Sequence, residues 1–229
     1  MAIGLKIRNN GNIIVADHTY KNLTLRQKTR LVQNTANVRR EYRLVFTVNC
    51  SRTGVVAFRS LGGWAGVIWY NQISETQKQI ELSSYAPISL DIYVFDNPVD
   101  AFRQGAVGLR IRNPATGEWT FDSRCRYMKI MGYANGTEFT ETVYQGGSRL
   151  PAAIPVQNYR RDYSGSFDTG SGSVSETSGH NLQMLCSGNN IRLLIDEWTY
   201  SSGGAGGGGF NGNRQSGTPL VMFVDVTGY

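Results

Sequence analysis

The sequence predicts an all-β protein of two tandem β-sandwich domains, with long Gly/Ser-rich loops in the second. Three observations carry that expectation. The hexapeptide Gly4-Leu5-Lys6-Ile7-Arg8-Asn9 returns as Gly108-Leu109-Arg110-Ile111-Arg112-Asn113, so one module is used twice. Twelve Tyr, nine Phe and four Trp, with many Val, Ile and Thr, suit a pleated, half-buried surface. Twenty-seven Gly in 229 residues exceed the average of about 7% and imply frequent turns.

The repeat continues past the hexapeptide. Each copy runs through a Gly-bearing turn to an Asp, Asp17 or Asp122. The spacing is 108 − 4 = 104 at the hexapeptide and 122 − 17 = 105 at the Asp. Lys21, Leu23 and Leu25 then fall opposite Arg126, Met128 and Ile130, and the last strands, Leu90-Ile92-Val94 and Leu220-Met222-Val224, look alike. A period this long means domain duplication rather than a solenoid. The division expected is a basic docking sandwich over 1–104 and an outward-facing sandwich over 105–229, each large enough to fold nearly alone.

Along the first copy, residues 4–17 read as a β-hairpin, because Leu5 and Ile7 alternate with Lys6 and Arg8 before Asn9-Asn10-Gly11. Its twin covers about 107–122. Further strands are expected at Tyr42 to Val48, Val55 to Arg59, Val67 to Tyr70 and Leu90 to Val94. Thr24 to Arg40 has a competing helical reading that its apolar spacing and Thr29, Thr35 and Val38 weaken. A linker is expected near Asn97 to Gly105.

In the second copy a strand is expected at Phe139 to Tyr144. From Gly146 to His180 the glycines, serines and two prolines predict irregular chain. Asn190 to Tyr200 reads as a strand with Ile191, Leu193 and Ile195 on one face, Gly203 to Gly209 as a loop between Tyr200 and Phe210, and Leu220 to Val226 as the closing strand.

Charge divides unevenly. Residues 1–104 hold 13 Lys+Arg against 7 Asp+Glu, whereas 105–229 hold 10 of each. A basic surface favours an anionic partner. Arg26, Lys28 and Arg30 alternate, which on a strand puts three cations on one face, and Arg39, Arg40 and Arg43 follow; these six are the candidate partner-docking residues, against the simpler reading of a charged edge strand. Tyr200, Gly206, Gly207, Phe210 and Asn211 are the candidate receptor-contacting loop. Nucleic acid is disfavoured, since no RNP-like or zinc-finger signature accompanies the charge.

Enzyme chemistry finds little support. His18 and His180 are the two histidines, Cys50, Cys125 and Cys186 are far apart, and no HExxH, GxSxG, EF-hand or phosphate-loop pattern occurs, so no catalytic residue, cofactor or metal site is expected. Asp196 and Glu197 are adjacent on a strand and so point to opposite faces, which prevents them from flanking one glycosidic bond. The odd, scattered cysteines read as buried free thiols of a reducing compartment. Neither a signal-peptide core nor an apolar run of about 20 residues is found, so no membrane span is expected.

Gly108 to Asn113, Gly117, Phe121-Asp122-Ser123, Arg126 to Ile130 and the closing Val224-Asp225-Val226-Thr227-Gly228-Tyr229 together resemble small tail-tip or tail-fibre proteins of tailed bacteriophages. The resemblance spans the second copy and touches the first through its hairpin and last strand. It implies a non-enzymatic virion structural protein of the tail, folded in the host cytoplasm, in contact with other tail proteins and concerned with assembly or host-surface attachment. It also implies a symmetric homo-oligomer, a trimer among the candidates, and a bacterial surface glycan or protein as receptor. The alternative is a carbohydrate-binding module for bacterial surface glycans, with Trp64, Trp69, Trp198 and Tyr200 as stacking groups.

Overall fold

In a computed structural model, residues 6–8, 14–17, 22–33, 42–98, 103–137, 140–157, 159–168, 173–204, 213–216 and 218–229 are described, with the backbone alone at 6–8, 14–17, 160–168, 173–180, 197–204 and 213–216. Among these residues the regular structure is all strand, with no helix. The first copy supplies β1 (Lys6–Arg8), β2 (Ile14–Asp17), β3 (Thr24–Gln33), β4 (Tyr42–Asn49), β5 (Val55–Leu61), β6 (Ala65–Ser74), β7 (Gln77–Ser84) and β8 (Ile88–Asp96). The second supplies β9 (Arg110–Arg112), β10 (Trp119–Asp122), β11 (Ile130–Ala134), β12 (Thr142–Gln145), β13 (Pro151–Gln157), β14 (Arg160–Asp168), β15 (Ser173–Ser187), β16 (Asn190–Gly204), β17 (Asn213–Ser216) and β18 (Leu220–Asp225).

The repeated hexapeptides make the same object twice. In β1/β2, Lys6 pairs with Asp17, Ile7 with Ala16 and Arg8 with Ile14. In β9/β10, Arg110 pairs with Asp122, Ile111 with Phe121 and Arg112 with Trp119. Every pair is the other's equivalent, and both hairpins bulge at the same place, skipping Val15 in one and Thr120 in the other. The hairpins lie against each other through the equivalent strands β2 and β10.

Beyond the hairpins, six strands close a ring: β3 pairs β8, β8 pairs β5, β5 meets β13, β13 pairs β18 and β18 pairs β11. The circuit shuts where Thr24 bridges Tyr127, with the Leu25 N–H donating to the Arg126 carbonyl at 2.7 Å and the Met128 N–H to the Leu23 carbonyl at 2.9 Å. Strand alternation then sorts the side chains. Leu25, Ala57, Tyr93, Phe95, Ile154 and Val224 fill the barrel. Their neighbours Val56, Phe58, Ile92, Val94, Ala153 and Phe223 point outward into a larger core. An outer layer, β4-β7-β6-β15-β16-β12, covers that core with Val67, Ile80, Leu82, Leu182, Leu193 and others.

The two copies are related by an approximate two-fold axis, which the registers reveal. In β3/β8, Leu25 opposes Phe95 and, after a bulge, Gln27 opposes Val94; in β11/β18, Ile130 opposes Val224 and, after a bulge, Gly132 opposes Phe223. A two-fold must set equivalent residues face to face wherever it crosses a ladder. Carried one residue on, the Thr24/Tyr127 bridge sets Leu23 opposite Met128, and the Phe58/Ala153 bridge sets Ala57 opposite Ile154. Both are equivalent pairs, since 23 + 105 = 128, the repeat spacing, and 57 + 97 = 154, the offset by which β5 and β13 match against β8 and β18.

Three expectations need correction. The strands do not form two separate sandwiches: three strands from each copy build one barrel, and the barrel interior and the larger core each draw residues from both copies. The matched closing strands are also one residue out of register in the sequence reading. Tyr93 corresponds to Met222 and Phe95 to Val224, an offset of 129, whereas the apolar alternation suggested 130.

The segment expected to be irregular, 146–180, holds β13, β14 and most of β15. Arg160–Asp168 pairs with Ser173–Asn181, and β15 pairs with β16 over 15 residues. His180 therefore lies on a strand. The composition argument missed that a polar hairpin can be templated by its own base, where Leu182 and Met184 against Ile191, Leu193 and Ile195 are buried in the core. Gly203 and Gly204 end β16, while 205–212, with Gly206, Gly207, Phe210 and Asn211, lie outside the described residues.

Candidate functional site

On one flank of the barrel the second hairpin gathers arginines around a single carboxylate. Asp122 is 3% exposed. It accepts from Arg124 through Nε at 2.8 Å and Nη2 at 2.6 Å, from Arg110 Nε at 2.8 Å, and faces Arg103 at 3.5 Å. The Arg124 side chain, foremost, holds the carboxyl well below the usual carboxylate range. Three guanidiniums thus converge on this one carboxylate. Arg110 and Arg112 also sit by the Trp119 ring, at 5.2 and 5.7 Å from its centre.

Repeated Gly108 and Leu109, with Ser123, Arg124 and Tyr127 that the first copy lacks, explain how this geometry is reached. A Cβ on Gly108 would lie 2.5 Å from Arg124 Cγ, so glycine lets that side chain fold over the backbone toward Asp122. Ser123 Oγ accepts the Leu109 N–H at 2.9 Å, and the Ser123 N–H returns a bond to the Leu109 carbonyl. Tyr127 stacks on Phe121 at 5.0 Å and donates its hydroxyl to the Asp122 carbonyl. Val107, 93% exposed, and Leu109, 52% exposed, project beside the arginines.

Next to the hairpin is the barrel mouth, a cavity of about 280 Å³ lined by Leu25, Gln27, Lys28, Gln104, Arg126 and Tyr229. Lys28 Nζ donates to the Tyr229 main-chain oxygen at 2.5 Å, Arg126 donates to the Gly228 carbonyl and lies 5.3 Å from the Tyr229 ring, and the Tyr229 hydroxyl donates to the Tyr127 carbonyl. The hairpin, residues 126–129 and the closing segment are thus one continuous surface.

The residues expected to dock a partner are distributed differently. Arg26 pairs with buried Asp96 at 3.3 Å, Arg30 grips Asp91 with two bonds of 2.6 and 2.9 Å, and Arg43 pairs with Glu81 at 3.1 Å. Arg26, Lys28 and Arg30 lie on β3 of the barrel and Arg43 on β4 of the outer layer, where the Gln33 amide at the end of β3 donates to the Arg43 carbonyl. Arg39 and Arg40 lie outside the described residues. Tyr200 is on β16 with its backbone opposite Thr177. Trp69 donates to Glu81, and Trp64 lies 5.3 Å from Arg192, both half-buried. Cys50, Cys125 and Cys186 are free, buried thiols, and burial pushes Cys186 up to about 11.

Sequence reasoning missed the arginine hairpin because charge was averaged over whole copies. Residues 103–129 hold six cations (Arg103, Arg110, Arg112, Arg124, Arg126, Lys129) against Glu118 and Asp122, whereas 130–229 hold five against eight. A shorter counting window reveals the basic segment. No helix among the described residues is long and apolar enough to cross a membrane, and those residues include no group of three or more His, Cys, Asp or Glu placed to hold a metal. No protein-family model matches this chain, and no curated protein or solved structure matches it.

Proposed function

We propose that this chain is a non-enzymatic structural protein of a phage tail, acting in tail assembly and host-surface attachment as a homo-oligomer, and that the arginine-rich hairpin with the barrel mouth is its docking surface for neighbouring tail proteins. One observation supports the reading above others. The segments that carry the tail-protein resemblance, separated by about a hundred residues in sequence, converge on a single flank: Asp122 and Ser123 hold the hairpin, while Arg126, Tyr127 and Lys129 hold Gly228, Tyr229 and Asp225. A flank that combines exposed Val107 and Leu109 with clustered guanidiniums has the chemistry of a protein interface, an apolar contact ringed by charge.

The test is incorporation into particles. Val107→Asp together with Leu109→Asp removes the apolar contact without touching the barrel, and is expected to lower the amount of this chain per particle at least tenfold while the purified variant keeps its thermal midpoint. Particles that retain the parental amount overturn the assignment.

A further inference from the structure

The barrel is incompletely closed at one side of its two-fold axis, and a single residue type accounts for it. The Val226 N–H donates to the Leu150 carbonyl at 2.8 Å within the β13/β18 register, so the N–H groups of residues 151, 153 and 155 point away from β18 toward β5. Ala153 accordingly bridges Phe58. Two residues further the same register puts position 155 opposite Val56, the two-fold mate of that bridge. Residue 155 is proline and has no N–H to give. The ladder therefore stops, and the Val56 carbonyl loses the donor its mate receives.

The gap is a cleft of about 310 Å³, with Val55, Val56, Ile154 and Pro155 as floor and Tyr70, Gln72, Lys78 and Arg52 as walls. Tyr70 is 37% exposed, with its ring 6.1 Å from Phe58. The Gln72 amide nitrogen is engaged by the carbonyls of Cys50, Ser74 and Gln77, which leaves its oxygen to accept. Lys78 is held by the Gly54 and Arg52 carbonyls, and no carboxylate lines the cleft. Arg52 pairs with Glu75 at the rim at 2.7 Å, but both side chains are mostly exposed, and water screens an exposed pair of this kind so that a ligand can compete with it.

We propose that this cleft binds a carboxylate-bearing sugar ring. The parts match the ligand one for one: Arg52 and Lys78 for the carboxylate, the Val56 carbonyl and Gln72 Oε1 for ring hydroxyls, and the Tyr70 and Pro155 faces for the ring's apolar C–H surface. A neutral sugar offers Lys78 no counter-charge, and a bare anion leaves the apolar faces empty. The site goes beyond the docking reading and stands apart from it physically, since binding is measured on purified protein and docking on particles.

The experiment is a titration of the purified full chain with glucuronate, with glucose and acetate as comparators, followed by NMR shifts and by the thermal midpoint. Saturable glucuronate binding, at least tenfold tighter than either comparator, is the expected result. Arg52→Ala, at a largely exposed position, should weaken it at least tenfold. Pro155→Val restores the missing N–H, extends the ladder, and should abolish binding with the fold intact. Equal binding of acetate or glucose, or undiminished binding by Arg52→Ala, overturns the proposal. So does a folded Pro155→Val variant that binds as the parent does.

Discussion

At the residue scale, two glycines and one aspartate show how local chemistry sets position. Gly66 lies between Ser83 and Gln183 on neighbouring strands, and Asn181 donates to Ser83 across it. An added Cβ would sit 2.7 Å from the Leu182 carbonyl oxygen, a backbone atom that cannot swing aside. Gly66→Ala should therefore cost about 1–3 kcal/mol in a urea titration, the usual range for overpacking. Gly108 plays the corresponding part in the hairpin. Asp122 is the hairpin's keystone, and the sign of its contribution follows from its depressed folded-state pKa. The stabilisation is full above the unfolded carboxylate value of about 3.9, and it is lost as pH falls through the lower folded value. Asp122→Asn should thus be less stable than the parent by a constant margin from pH 7 down to about pH 4, with the margin shrinking in stronger acid. The partly exposed arginines keep that margin below the about 3–5 kcal/mol of a fully buried broken pair. The three buried cysteines give a simpler expectation: an alkylating reagent at pH 8 should label them only after denaturant is added.

Strands and hairpins differ in how much of them was legible. Hairpins 4–17 and 107–122 could be read because turn chemistry is local, and β4, β5, β8 and β18 because their apolar residues alternate. Hidden strands had other origins. Pro151 and Pro155 in β13 look like breakers, yet 151, 153 and 155 are the positions whose N–H would face β5 rather than β18, so proline is tolerated there. In β7, Gln77 to Ser84, polar residues outnumber Ile80 and Leu82, because the strand shows one face to the core and binds Arg43 and Trp69 with Glu81 on the other. Barrel closure is a contact between elements and can be tested as one. Met128→Pro removes the N–H that bonds the Leu23 carbonyl across the axis, leaving that acceptor orphaned. A loss of about 1–3 kcal/mol is expected, read as a lower urea midpoint, and an unchanged midpoint would show that the seam bears no load.

For the molecule as a whole, duplication produced one interlocked body. The barrel uses β3, β5 and β8 from one copy and β11, β13 and β18 from the other, so a chain cut at residue 104 should yield two pieces that each lack cooperative unfolding. Mixed together, they should recover the near-UV signal of the intact chain. Two pieces that fold separately would contradict the shared core. The copies diverge between β13 and β18, which lie 129 − 97 = 32 residues further apart than β5 and β8; the longer interval carries β14, β15, β16 and β17 where the first copy has β6 and β7.

The residues alone determined the all-β class and both hairpins, because these depend on periods and turns shorter than about a dozen residues, and they determined the duplication, because a repeated hexapeptide is visible in the sequence whatever its spacing. Only the folded arrangement decided how the copies meet, which cations are tied to acids and where the seam fails to close. Those outcomes depend on strand register between residues up to about a hundred positions apart, and a shift of one residue exchanges the faces of every side chain in a strand.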